Sequence, residues 1–208
     1  MAKEKKPLYV TDVREARWVW LHQPDTRPYN GQPVPPRYRV SLVYDGNSPA
    51  WKTFQKQLDA WADEAEEAFR VANPRKRGSV SRFAPYQPQV DENDNETGFY
   101  LVAFQRRAAF TDKSTGKDVT VRVPIFDAKG EPFPEDQLIG NGSRLRVSYT
   151  VRPYATNLAC GVTLDIKAVM VHEALDRPMR GAQHYGFDVE ASGPAQGACE
   201  DEPDAVVF

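Results

Sequence analysis

Basic side chains recur at two-residue spacings in segments that alternate between polar and apolar residues. Arg144, Arg146 and Arg152 are separated by even numbers of residues, whereas the apolar Leu145 and Val147 fall between them. Successive side chains of a strand point to opposite faces, so this spacing predicts one cationic surface. Further basic residues are predicted to join this surface: Arg37 and Arg39 share the outer face of their strand, Arg106 and Arg107 end theirs, and Lys167 projects from the last strand. Guanidinium groups suit phosphate, because they donate several hydrogen bonds and stay charged.

Aromatic residues occur on or beside the same segments and are candidates for stacking on nucleic-acid bases. They are Trp18, Trp20, Tyr100, Phe104 and Tyr154. Stacking contributes roughly 1–3 kcal/mol per base and selects no sequence, because every base has a flat face. The alternative is that these rings belong to the core and that the outward arginines serve only solubility.

The charge distribution also favours a polyanionic partner. The formal net charge of the chain is −2, but residues 187–208 contain six acidic residues and no Lys or Arg. Residues 1–186 therefore hold 27 basic against 23 acidic residues. A mildly basic body joined to an acidic end is typical of a body that binds nucleic acid.

A short basic loop follows the one strong helix signal of the sequence. It contains Arg75, Lys76 and Arg77. These cations can complement the carboxyl end of the helix dipole or can contact phosphates, and the two roles are compatible.

The C-terminal residues combine acidic side chains with a terminal aromatic ring. They include Glu200, Asp201, Glu202, Asp204 and Phe208. A ring beside a free carboxylate can enter an apolar pocket of a partner while the acids meet a basic rim. The same acids can instead lie in the protein's own cationic surface and compete with nucleic acid, or the segment can be a solubilising tail.

Other kinds of chemistry are excluded or disfavoured by the residue pattern. The three histidines form no local nucleophile–base arrangement, and Cys160 and Cys199 provide neither a disulfide framework nor zinc spacing. Residues 111–118 lack two key residues of a phosphate loop, and residues 91–96 lack the glycine of a calcium loop. We therefore expect no enzyme activity, no metal and no cofactor. Without an apolar stretch that suits a membrane span or a signal peptide, we expect a soluble cytoplasmic protein and no membrane partner.

Strand-like segments dominate the elements that must position these side chains. Alternation predicts strands near residues 13–21, 38–44, 98–107, 118–126, 142–153 and 161–172, with a hairpin turn at 112–117. The helix begins at Pro49 after the cap Ser48 and ends at Asn73. Its apolar stripe is Trp51, Phe54, Leu58, Trp61, Ala65, Ala68 and Ala72. The sequence therefore predicts a mainly β chain, a five- to six-stranded barrel with one long inserted α-helix.

The same signals divide the chain into three parts. Residues 1–12 are expected to be a flexible basic leader, and residues 13–180 the folded domain. Residues 181–208, which are rich in Gly, Ala, Ser, Pro and acid, are expected to be a disordered acidic tail.

In its body and its tail the chain resembles the single-stranded-DNA-binding proteins of tailed phages. The resemblance is most specific in residues 139–143 (IGNGS), which lead into the basic strand, and in residues 158–175 (LACGVTLDIKAVMVHEAL). It implies an OB-like fold whose closing strand is residues 158–175. It also implies sequence-independent binding of single-stranded DNA in replication, recombination and repair, in the host-cell cytoplasm. The resemblance further implies that the tail contacts replication proteins such as polymerase or helicase–primase.

Two other functions are left open by the residues themselves. One is a protein–protein adaptor or structural component that works through its Phe-terminated tail. The other, which is disfavoured, is a metal-dependent nuclease whose carboxylates meet only in the fold. The oligomeric state is also open, and a homodimer stabilised by exchange of tails is one alternative.

Overall fold

The elements follow segments in which β-branched and aromatic residues alternate with polar ones, interrupted by a long helix. The computed structural model describes residues 6–28, 32–74, 80–112, 114–156 and 159–175. In chain order the elements are β1 Tyr9–Val10, β2 Arg14–Asp25, β3 Arg37–Asp45, α1 Pro49–Ala72, β4 Ser81–Phe83, β5 Tyr86–Val90, β6 Glu96–Arg107, β7 Ala109–Thr111, β8 Asp118–Thr120, β9 Ile125–Asp127, β10 Arg144–Ala155 and β11 Ala159–Glu173.

Five of the strands close into a ring. β10 pairs with β2, β2 with β3, β3 with β6 and β6 with β11, and β11 returns to β10. All of these neighbours are antiparallel except β6 and β11, which run parallel. The prediction of a mainly β fold on five or six strands with one long inserted helix is confirmed.

The inside of the ring is filled by apolar side chains from its strands. Val40, Phe104, Leu145, Leu164 and Ile166 each have at most 1% of their surface exposed. Because strand side chains alternate, burial of one face directs the polar residues of the same strands outward. The outer face of the ring is therefore where charged side chains collect.

Helix α1 begins and ends where the sequence predicts. The Ser48 hydroxyl accepts a hydrogen bond from the Trp51 N–H at 3.2 Å, and Pro49 occupies the first helical position. At the other end the Asn73 N–H donates to the Phe69 carbonyl oxygen at 2.9 Å. These caps satisfy backbone groups that have no partner inside the helix.

The predicted apolar stripe of α1 is correct in its first half and wrong in its second. Trp51, Leu58 and Ala65 are buried as expected, but Ala62 and Phe69 are also buried, whereas the predicted Ala68 and Ala72 are exposed. The predicted stripe advances in alternating steps of three and four residues, which average 3.5 residues per turn. A straight helix has 3.6, so the buried face drifts by about 20° every seven residues.

The segment predicted as one strand over residues 118–126 forms two short strands instead. β8 pairs with β7 in a separate two-stranded hairpin, and β9 runs parallel to β11. Pro124 lies between β8 and β9 and has no N–H to donate to a ladder. The predicted turn at 112–117 is confirmed, with the Asp112 N–H donating to the Lys117 carbonyl oxygen at 2.8 Å, but it joins β7 to β8.

Part of the segment predicted as a flexible leader forms a short strand. Tyr9 and Val10 form β1, which pairs with the middle of β10. The Tyr9 ring packs on Trp61 of α1 and on Tyr149 of β10, with centroid distances of 5.0 and 5.6 Å. Thr11 is buried. These aromatic contacts hold β1 against the ring.

Candidate nucleic-acid interface

Three arginines lie together where β2 ends and β3 begins. Asp25 is the last residue of β2, and its cross-strand partner in β3 is Arg37. The Asp25 carboxylate accepts hydrogen bonds from Arg27 Nε at 2.8 Å and from Arg39 Nη1 at 3.1 Å. Arg37 Nη1 donates to Gln105 Oε1 of β6 at 2.9 Å. The carboxylate and the amide thus hold three guanidinium groups along one outer surface.

A second cationic cluster lies where β6 ends beside β10 and β11. Arg106, Arg107, Arg152 and Lys167 line a recess of about 470 Å³. Arg106 Nη1 donates to the main-chain carbonyl oxygen of Ile166 at 2.7 Å, which fixes this side chain across the parallel β6–β11 pair.

A recess of about 630 Å³ joins the two clusters. It is lined by Arg37 from the first cluster and by Arg107 and Arg152 from the second. We call the resulting continuous trough the cationic groove. Its basic side chains are Arg27, Arg37, Arg39, Arg106, Arg107, Arg152 and Lys167.

Aromatic side chains are distributed along the same groove. Trp18, Phe83 and Phe110 line its recesses and are exposed by 51%, 53% and 45%. Tyr154 also lines it and is half-buried, and burial raises the pKa of its hydroxyl. Exposed rings between cations are the combination that single-stranded nucleic acid requires, because phosphates and bases are contacted alternately.

Trp18 is presented to the groove by an irregular strand. Its φ is +54°, in the left-handed region that tryptophan rarely adopts. The register of the β2–β3 pair shifts between Arg17 and Trp20, so Trp18 lies at a bulge. Such strain persists where surrounding structure imposes it, and it is concentrated at functional sites.

Phe83 reaches the groove because β4 approaches β11 closely. The partner of Phe83 in this parallel pair is Gly161. A Cβ atom at position 161 would lie 2.1 Å from the Phe83 carbonyl oxygen, so only glycine fits this approach.

Two aromatic residues predicted to stack on bases pack inward instead, one in the core and one against it. Phe104 is completely buried, with its ring centroid 5.2 Å from that of Tyr149. Tyr100 is half-buried and stacks on Trp51 of α1 at 4.7 Å. The prediction is wrong for both, because this face of β6 turns toward the ring interior and α1.

The three arginines predicted to share one surface of β10 do not all lie in the cationic groove, and the role of Arg144 and Arg146 in DNA binding stays a prediction. Of the three, only Arg152 lines the cationic groove. Arg144 lies at the other end of β10, opposite Glu15 and Glu173, and Arg146 Nε donates to the Thr11 carbonyl oxygen at 3.0 Å. At about 3.3 Å per residue, eight residues separate the two ends by about 26 Å. β10 shifts register between Ser148 and Tyr149 and leaves β2 early, so its ends lie at different places on the ring.

The remaining predicted residues are Trp20, which the structure describes, and those of the basic loop and the tail, which it does not. Trp20 is half-buried, and the Arg27 guanidinium lies 4.7 Å from its ring centroid, so one face of this ring is covered. The basic loop and the tail lie outside the described residues; their members are Arg75, Lys76, Arg77, Glu200, Asp201, Glu202, Asp204 and Phe208. Their predicted roles stay predictions.

Three groove residues were missed by sequence reasoning. Arg27 lies in a proline-rich segment that lacks strand alternation, while Phe83 and Phe110 belong to strands of only three residues. A signal existed only for Arg27, which stands two residues after Asp25 and could have been paired with it.

Metal clusters and membrane-spanning helices were sought in the part of the chain that the structure describes. Within it, no group of three or more His, Cys, Asp or Glu residues is placed to hold a metal ion. No helix found in the same residues is long and apolar enough to cross a membrane.

The protein family described as "Single-stranded DNA-binding protein, Bacteriophage T7" matches residues 14–174, which include β2 to β11 and the whole cationic groove. The chain belongs to this family. The predicted resemblance to phage single-stranded-DNA-binding proteins is therefore confirmed. The family is one of binding proteins rather than enzymes, in agreement with the prediction that this chain is not an enzyme.

Individual relatives carry the same name as the family. The single-stranded DNA-binding protein of Enterobacteria phage T3 is 28% identical over 203 residues, which cover 93% of this chain and 87% of that protein. The protein of the same name from Escherichia phage T7 is 28% identical over 163 residues, 75% of this chain and 69% of that one.

Among solved structures, gp2.5, a single-stranded DNA-binding protein encoded by bacteriophage T7, matches with a TM-score of 0.67 and 23% identity, covering 91% of this chain and 98% of that one. The single-stranded DNA-binding protein of bacteriophage Enc34, in complex with single-stranded DNA, gives a TM-score of 0.52 at 12% identity, over 84% of this chain and 95% of that one. These likenesses confirm the OB-like fold.

Proposed function

We propose that this protein binds single-stranded DNA in the cationic groove without sequence preference. The observation on which the proposal rests is the alternation of basic and exposed aromatic side chains along one continuous trough. The family name and the complex of the Enc34 protein with single-stranded DNA support the choice of ligand.

The groove separates the two tasks of such binding. Arginines on the outer faces of β3, β6 and β10 are suited to the phosphates, because each guanidinium donates to two oxygens at once. Trp18, Phe83 and Phe110 are suited to the bases, because their rings are exposed and no hydrogen-bonding pattern selects among bases. Three to five phosphate contacts on a single strand predict a slope of log K against log salt of about −2 to −3.5.

The biological setting follows from this ligand. Single-stranded DNA is exposed during phage replication, recombination and repair, and we propose that the protein protects it there, in the host cytoplasm. We further propose that the acidic tail, which ends in Phe208, recruits replication proteins such as polymerase or helicase–primase. A homodimer that exchanges tails is compatible with this arrangement.

The direct test is quenching of tryptophan fluorescence on titration with oligo(dT) at low and high salt. Because Trp18 lies exposed in the groove, bound bases are expected to quench it, and binding is expected to weaken with salt. Trp18→Phe keeps a ring but removes this fluorophore, so it identifies the source of the signal. No binding by fluorescence or by gel shift would refute the proposal.

Deletion of residues 187–208 tests the tail separately. If the tail competes with DNA for the groove, the truncated chain binds oligo(dT) more tightly, and if it recruits partners, it loses them. An adaptor would lose its partner in the same way but would bind no DNA with or without the tail. Degradation of labelled DNA in magnesium or manganese would instead support the nuclease alternative.

A further inference from the structure

One acidic side chain lies at the centre of the basic residues at one end of the cationic groove. The Asp25 side chain is only 7% exposed, whereas those of Arg27 and Arg39 are 55% and 40% exposed. A buried carboxylate beneath two exposed guanidinium groups is opposite to what simple attraction for DNA requires, because the acid repels phosphate.

The hydrogen bonds of Asp25 are geometrically specific. Arg27 donates from Nε to Oδ1 at 2.8 Å and from Nη2 to Oδ2 at 2.9 Å, so the pair is bidentate. Oδ2 also accepts from Arg39 Nη1 at 3.1 Å, and Oδ1 accepts from the main-chain N–H of Arg27 at 3.1 Å. The hydrogen bond from Arg27 is the largest cause that lowers the pKa of Asp25 to about 2, so the carboxylate is ionised at neutral pH.

These bonds leave both arginines able to donate further. A guanidinium has five N–H donors; Arg27 uses two of them on Asp25, and Arg39 uses one. The Arg27 guanidinium also lies over the Trp20 ring at 4.7 Å, which fixes its plane. Both side chains line the groove recess that contains Trp18, so the remaining donors are near the exposed ring.

The carboxylate removes two obstacles to phosphate binding. Two neighbouring guanidinium groups repel each other, and a shared anion offsets this repulsion. A free arginine side chain also loses rotamer freedom worth up to about 2 kcal/mol when a ligand orders it, whereas these two are ordered beforehand.

We propose that Asp25 is a positioning residue for DNA: it does not contact the strand, but holds Arg27 and Arg39 as a preformed phosphate receptor beside Trp18. The inference rests on the proposed function of the groove. It predicts a change in DNA affinity opposite to the change that net charge alone predicts. Neutralising an acid in a DNA-binding surface should tighten binding, whereas loss of the positioning group should weaken it.

The decisive variant is Asp25→Asn, measured with oligo(dT) over a range of salt concentrations. We expect affinity to fall about fivefold to tenfold and the salt slope to flatten by about 0.7 to 1.4, as one or two phosphate contacts are lost. The matched control is Asp136→Asn, because Asp136 is exposed and is not among the residues that line the groove. This control adds the same charge and is expected to bind equally well or up to about threefold more tightly.

A further comparison separates positioning from a general loss of structure. In an Arg27→Ala/Arg39→Ala background, Asp25→Asn is expected to cause no further weakening, because the side chains through which it acts are gone. Further weakening there would mean that Asp25 acts through the fold, and the inference would be wrong.

A conservative variant keeps the test valid if Asp25→Asn fails to fold. Asp25→Glu preserves the charge but displaces the carboxylate by one methylene, so weaker binding at unchanged net charge is expected. Affinity of Asp25→Glu equal to that of the wild type would overturn the inference. Tighter binding of oligo(dT) by Asp25→Asn would overturn it as well. Failure of the proposed function is distinguishable, because then the wild-type protein itself does not bind oligo(dT).

Discussion

The aromatic residues of this protein fall into two groups that have similar chemistry and opposite environments. On the α1 side, Trp51 is 1% exposed and its ring lies 4.7 Å from Tyr100, 5.3 Å from Tyr86 and 5.4 Å from Tyr44. In the cationic groove, by contrast, about half of the surface of Trp18 is exposed.

The difference arises from what covers each part of the ring of strands. Helix α1 lies against one part and turns the aromatic residues there into a packed cluster. Another part of the outer surface of these strands bears arginines, whose charges need solvent or phosphate. The aromatic side chains beside them therefore stay exposed. The type of aromatic residue therefore does not determine its role in this protein. What determines the role is whether α1 packs over that part of the ring of strands.

Substitution of the central ring of the packed cluster is expected to have the largest effect. Trp51→Ala should lower the free energy of unfolding by about 3–5 kcal/mol, because it removes a fully buried ring and leaves a cavity. Denaturant unfolding measures this loss. The molecules that remain folded should bind oligo(dT) with unchanged affinity, and a selective loss of binding would contradict the distinction between the two groups.

Substitution of the exposed ring should have the converse effect. Trp18→Ala is expected to cost about 1–3 kcal/mol of binding to oligo(dT), from lost stacking, while stability changes by about 0.5 kcal/mol or less. Phe99→Ala is a matched control, since Phe99 is 43% exposed and is not among the residues that line the groove. If Trp18→Ala and Phe99→Ala lost equal affinity for oligo(dT), Trp18 would have no special role in binding.

The arginines allow the same comparison between surfaces. Arg107→Ala/Arg152→Ala should flatten the salt slope by about 1.4, because two phosphate contacts on a single strand are lost. Arg144→Ala/Arg146→Ala changes the net charge equally but lies outside the groove, and it should change the slope by less than about half as much. A gel-shift series at four salt concentrations measures both slopes, and the reverse order would restore the row predicted from sequence.

The smallest expected effect concerns acid stability. The pKa of Asp25 is lowered to about 2 in the folded protein, so its ionised form contributes stability above the unfolded pKa of about 4, and this contribution is lost as pH falls toward 2. The wild type should therefore lose about 1–2 kcal/mol more than Asp25→Asn between pH 4 and pH 2. Chemical denaturation of both at each pH checks this. Parallel profiles would mean that the Asp25 ion pairs add nothing to stability.

Sequence reasoning was strongest where a signal is local. The start of α1 depends on Ser48 and Pro49, and the burial of β3 depends on strict alternation, so neighbours in the chain suffice for both. It was weaker for the second half of α1, because a stripe drawn with steps of three and four drifts from a real helix within three turns. It failed at residues 118–126, where a proline interrupts the apparent strand.

The groove could be predicted only in part for a related reason. Alternation places Arg37, Arg39, Arg152, Lys167 and Trp18 on outer faces, whereas Arg106, Arg107 and Tyr154 are candidates only because they lie at or beside strand ends. Phe104 was found by the same rule and is buried, since alternation does not say which face is covered. Phe83 depends on a contact between residues 83 and 161, which no local pattern encodes.

The sequence by itself determined the mainly β character, the long capped helix, the acidic C-terminal composition and the excess of cations on outer strand faces, because each depends on residues close together in the chain. Only the tertiary structure decided which cations share a surface and which rings are exposed. Arg144 and Arg152 lie far apart although they share one strand. Closure of the five strands into a ring brings Arg37, Arg107 and Arg152 together from three different strands. The physical reason is that, in a closed sheet, residues far apart on one strand lie on different parts of the surface, whereas residues of neighbouring strands meet. Packing of α1 then buries the aromatic residues beneath it.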